Sequence, residues 1–165
     1  MINPWTNLQP IFDIPDEIYP EIDIVNLSNA AMHQVVHYLI HNMRGLSTEF
    51  HTFVSEDPVF VKSPGEMINR VTRGDLIGTI AGELKVARYT LPEIVYIFEE
   101  PGVIIMSYGT GRQWTPLKVI ALFEWFRMVN TIDASTTIQL SKHFFSPGWM
   151  RTFDSMLRTY LNEQH

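Results

Sequence analysis

Cysteine is absent from the 165 residues, which excludes both a disulfide framework and a thiolate metal site. Lysine and arginine are absent from residues 1–43. The sequence contains no HExxH zinc motif, no GxGxxG fingerprint and no P-loop, and no GxSxG elbow surrounds Ser107. No catalytic residue is therefore assigned, and a non-catalytic protein is the reading. Met1 to Thr6 lacks the basic and apolar regions of a secretory signal, so the cytoplasm is the default location. The most apolar stretch, which begins at Pro116, is too short and too often charged to span a bilayer, which needs about 20 apolar residues. No membrane partner is expected.

The positive charge missing from the N-terminal part shapes the rest. Net charge is −6, with 18 acids against 12 bases. Five of the acids, Asp13, Asp16, Glu17, Glu21 and Asp23, fall within residues 1–43, and the remaining 13 nearly balance the 12 bases. Nucleic-acid binding needs clustered Lys and Arg, so this layout argues against it. Any partner drawn by charge is a basic protein.

What is present describes an α+β chain read as one globular domain, 1–165. Ile94–Phe98 and Val103–Tyr108 are apolar, β-branched and aromatic runs joined by Glu-Glu-Pro-Gly, a hairpin signature. Their continuous apolarity predicts central strands covered on both faces. From Pro116 to Val129 the chain is apolar almost all round, the mark of a buried helix. Serine or threonine followed by proline recurs at Ser63-Pro64, Thr115-Pro116 and Ser146-Pro147. Each pair predicts a helix start, since the hydroxyl caps free amides and proline fits the first helical position.

The remaining elements follow from spacing. Pro4, Pro10, Pro15 and Pro20 make residues 1–20 an extended acidic arm, with aromatics to anchor it. Residues 21–27 alternate as a short strand. Ser28 caps a helix to Met43, closed by Arg44-Gly45. Residues 49–54 and 58–61 read as strands, and 84–89 as another. Asp133 is expected to cap a helix from Ala134 to about Phe145, followed by a final amphipathic helix. The sum is an antiparallel sheet of about five strands, helices packed mainly on one face, and a helical C-terminal part.

Two groups of residues carry the functional expectations. The first is the acidic set Asp13, Asp16, Glu17, Glu21 and Asp23, with Arg112 and Trp114 on the Gly109–Trp114 loop as a recognition pair. The second is His33, His37 and His41, which recur every fourth residue and form a ridge, each ~40° from the last. Paired imidazoles at this spacing chelate zinc or nickel. No cofactor is expected, and metal on the ridge would be adventitious zinc or nickel. The leading reading is an inhibitory protein of the immunity type that neutralises a basic toxin or nuclease. The alternatives are a metal-dependent enzyme built on the ridge, and a structural subunit of a homo-oligomer.

Overall fold

In a computed structural model describing residues 2–163, five helices accompany one six-stranded antiparallel sheet. In chain order the elements are α1 (Trp5–Phe12), β1 (Glu21–Val25), α2 (Asn29–Asn42), β2 (Met43–His51), α3 (Pro64–Thr72) and β3 (Ile77–Val86). There follow β4 (Tyr89–Phe98), β5 (Ile104–Tyr108), α4 (Pro116–Ile132), β6 (Thr137–Leu140) and α5 (Pro147–Asn162). The strand order is β2-β3-β4-β5-β1-β6. The sheet thus has one strand more than the sequence suggests, and β4 and β5 are central as expected. No helix among the described residues is long and apolar enough to cross a membrane.

All three hydroxyl–proline starts form. The side chains of Ser63, Thr115 and Ser146 accept from the amides of Glu66, Lys118 and Trp149, and Ser28 accepts from Ala31. Helix α4 then buries Val119, Leu122, Phe123, Trp125, Phe126 and Val129. Trp125 stacks on Tyr38 of α2 at 5.4 Å. Phe123 meets Phe153 and Tyr160 of α5 edge-on at 5.8 and 5.4 Å. Arg127 ties the two helices further by donating to the Tyr160 carbonyl at 2.8 Å.

Several expectations are corrected. Residues 5–12 are a helix, because Leu8, Ile11 and Phe12 reach the core on one face despite Pro10 within the turn. Between Phe12 and β1 the chain has no regular element. The β-branched Thr137 and Ile138 join a strand against β1 where a helix from 134 was expected, and Asp133 instead accepts from the Ser28 and Ser135 amides. Strand β2 begins directly after α2, so Gly45, with φ of 62°, belongs to a bulge opposite β3 and not to a helix cap. Residues 58–61 form no strand; one bond, Val59 N–H to the Phe50 carbonyl at 2.7 Å, lays them along the β2 edge. The expected strand 84–89 is cut by the β3–β4 turn, where Ala87 has a φ of 52°.

The central hairpin is covered on one face only. Ile94, Tyr96 and Phe98 of β4 are buried, whereas Val95 and Ile97 between them are half-exposed. The same alternation runs through β5 and β1. Gly78 keeps the covered face tight: a Cβ there would stand 2.9 Å from the Phe50 ring.

Replacing Phe123 by alanine is expected to cost about 3–5 kcal/mol, while Leu117→Ala, at 52% exposure, should stay within about 0.5 kcal/mol. Urea midpoints of the two variants test this, and equal losses would contradict the placement of α4.

Candidate partner-binding face

Cross-strand pairing decides what the uncovered face presents. Opposed residues in an antiparallel ladder project to the same side. Glu21 lies opposite Ser107, Asp23 opposite Ile105 and Gln139, Val95 opposite Ser107 and Ala81, and Ile97 opposite Ile105 and Thr79. Glu83 faces Glu93, and Glu49 faces Thr79. The result is an aliphatic centre of Ala81, Val95, Ile97 and Ile105 ringed by Glu21, Asp23, Glu49, Glu83 and Glu93. All of these side chains are half-exposed or exposed. At the Glu83 end, Arg44 lies opposite Glu83 and Lys85 opposite Thr90.

At the opposite end lies a shallow groove of about 240 Å³. Glu21 and Asp23 line it together with Glu99 and Glu100 from the β4–β5 turn and with His143. Burial is the chief reason that Glu21 sits above the ordinary carboxylate range; the charge of Asp23 adds to it and His143 opposes it. Asp23 is raised for the same first reason, again against His143. Neither carboxylate makes an ion pair among the described residues. Both are negative charges partly withdrawn from water, with His143 nearby offsetting only part of that cost.

The acidic arm reaches this face because the β5–α4 loop holds it. Thr110 N–H donates to the Ile18 carbonyl at 3.0 Å, and its hydroxyl accepts from the Ile18 amide and donates to the Asp16 carbonyl. Gly111 N–H donates to the Phe12 carbonyl, and the Tyr108 hydroxyl donates to that of Ile11 at 3.0 Å. Glu17 accepts from the Tyr19 hydroxyl at 2.9 Å and is the main cause of that phenol's raised pKa, with Glu93 a weaker one. The arm's end therefore adjoins the acidic ring. Asp16 and Glu17 are exposed, while Asp13 is half-buried at the end of α1 and accepts from Gln9.

Of the acidic set, Glu21 and Asp23 share the open face through β1, whereas the two members of the recognition pair are separated by burial. Trp114 is 3% exposed. Its Nε1 donates to the Gly109 carbonyl at 2.8 Å and its ring packs on Phe12 and Tyr108 at 4.8 and 5.6 Å. It is a core residue that seats the arm, and of the pair Arg112 alone is exposed. Glu49, Glu83, Glu93 and His143 were not foreseen as members of the face, because pairing between strands distant in sequence brings them there. In the sequence Glu99 and Glu100 are only the start of the Glu-Glu-Pro-Gly turn.

The histidine ridge lies on the helical side. His33, His37 and His41 line a groove of about 610 Å³ with Tyr38, Pro64 and Ile132. The rings of His37 and His41 are 4.0 Å apart between centres, and His41 Nδ1 lies 2.7 Å from the His37 carbonyl. No three His, Cys, Asp or Glu side chains gather into a metal-holding group among the described residues.

The geometry defines an α+β protein with one sheet face left uncovered and acidic. No protein-family model matches the chain, and no curated protein matches it. Its fold is similar to that of a chain in the crystal structure of the toxic C-terminal tip of CdiA from Pseudomonas aeruginosa in complex with immune protein. The TM-score is 0.50, with 11% identity over 76% of this chain and 88% of that one, a likeness of fold alone.

For a carboxylate raised by folding, the native state is penalised as pH rises through its window and relieved as pH falls. Glu21→Gln with Asp23→Asn should therefore raise the unfolding free energy at neutral pH and lose that gain at pH values where the native carboxyls are protonated. Urea titrations of both proteins across pH 3–8 check it; a variant less stable than the parent at pH 7 would contradict the unpaired, desolvated state of these groups.

Proposed function

We propose that this chain is a non-catalytic binding protein that covers a cationic surface of a protein partner with its acidic sheet face. More finely, it is an immunity-type protein that neutralises a basic toxin, and a nuclease fits best. One observation carries the reading: an uncovered aliphatic sheet face ringed by carboxylates, two of which are already partly desolvated and unpaired. Aliphatic area at the centre supplies contact, and surrounding charge accelerates encounter and selects a cationic partner. A nuclease must present such a cationic surface to the phosphates of its substrate. Because Glu21 and Asp23 already bear part of their desolvation cost in the free protein, burying them against a cation adds less to it. The likeness in fold to a chain of a toxin–immune protein complex supports the same reading. On this reading the chain acts in the cytoplasm, where an incoming nuclease meets nucleic acid.

The test is affinity capture of the tagged chain from its native cells at low and high salt, read by native mass spectrometry. A second bait carries Glu21→Gln, Asp23→Asn, Glu99→Gln and Glu100→Gln. The expected result is a stoichiometric basic protein, retained at low salt, released as salt rises, and bound by the variant at least about tenfold more weakly, equivalent to about 1.4 kcal/mol. That protein expressed alone should arrest growth, and the chain should restore it. Equal capture by the variant at low salt, or an acidic partner, would overturn the reading.

A further inference from the structure

The geometry points to a second site on the helical side: His37 and His41 form a two-imidazole site for a borderline divalent cation such as Zn²⁺ or Ni²⁺, at the rim of the groove between α2 and α3. The two residues are four apart on α2, both are exposed, and their ring centres are 4.0 Å apart with planes inclined at 34°. A metal about 2.1 Å from Nε2 of each ring would set the ring centres roughly 4.5–5 Å apart. A small rotation of exposed His37 supplies that difference.

The contact at His41 favours this use. A carbonyl oxygen only accepts, so the 2.7 Å approach of His41 Nδ1 to the His37 carbonyl means that Nδ1 carries the hydrogen. In the neutral ring the lone pair is then on Nε2. A ring nitrogen anchored to a backbone carbonyl is the arrangement that metal-ligating histidines use to fix tautomer and orientation. Imidazole donors suit zinc, nickel and copper. Among the described residues the groove is lined by no carboxylate, and hard cations such as Mg²⁺ and Ca²⁺ seek oxygen ligands.

His33 belongs to the groove but not to the chelate. It is half-buried and leans on the start of α3, where a Cβ on Gly65 would stand 3.9 Å from its Cε1. Water, or a donor entering the groove beside Gln34 and Asn42, fills the remaining positions.

The experiment titrates Ni²⁺ and Zn²⁺ separately into the full chain by calorimetry, with His37→Ala, His41→Ala, His33→Ala and His51→Ala in parallel. Circular dichroism confirms that each variant is folded. One equivalent should bind, at least about tenfold more weakly after loss of either His37 or His41, and nearly unchanged in the other two variants. Paramagnetic broadening by Ni²⁺ in NMR spectra should centre on His37 and His41. Binding that survives both substitutions, broadening centred elsewhere, or no saturable binding would overturn the site.

Discussion

Helix α4 sets the arrangement of everything else. Seven of its side chains are buried. It packs on β3 and β4 below, on α1 and α2 beside it, and on α5 above, while α3 joins through α2 and β3. A helix with apolar residues nearly all round has no stable position at a surface. It must be enclosed, and the elements that enclose it are the remaining helices. Once they are gathered on that side, none is left for the other face of the sheet. The uncovered face is thus a consequence of how α4 is buried.

Antiparallel sheets often leave one face to water, and such a face is ordinarily polar along every strand. Here the centre of the open face is Val95, Ile97 and Ile105, with carboxylates at its margins. Aliphatic side chains there gain little in the free protein, and the half-buried carboxylates of Glu21 and Asp23 oppose its stability. Folding alone explains neither. Both features suit a surface whose apolar centre and charged margin become useful on contact with a cationic partner. The sheet edges receive different treatment: the bulge at Gly45 and residues 58–61 along β2 restrict pairing with a further strand.

Local chemistry was the legible part of this fold. A hydroxyl before proline marked the starts of α3, α4 and α5, because capping involves only neighbours in sequence. The central hairpin and the stripe of α5 followed from spacing. Failures arose where distant contacts decide. Pro10 outweighs Leu8, Ile11 and Phe12 in a local reading, yet their packing holds α1 together. The continuous apolar run of β4 reads as two covered faces, although only Ile94, Tyr96 and Phe98 are enclosed. In the same way, the position of Trp114 in a loop said nothing of its packing on Phe12, far back in the sequence, and on nearby Tyr108. The site divides along this line: alternation within β1 places Glu21 and Asp23 on one face, but Glu83 and Glu93 join them only through strand pairing.

The two candidate surfaces lie on opposite sides of the sheet. The acidic face belongs to the strands, whereas the groove beside His37 and His41 is built by α2, the start of α3 and the end of α4. With no side chain common to both, a cation at the groove and a basic protein at the face are separate events, and substitutions at the two should combine additively. Coupling would require a rearrangement carried through α2 and α4, which share the Tyr38–Trp125 stack. That stack is anchored in the core, where dense packing resists small displacements. The acidic face is accordingly a surface that works by complementarity in the conformation already formed, and its affinity depends on charge and shape presented in advance.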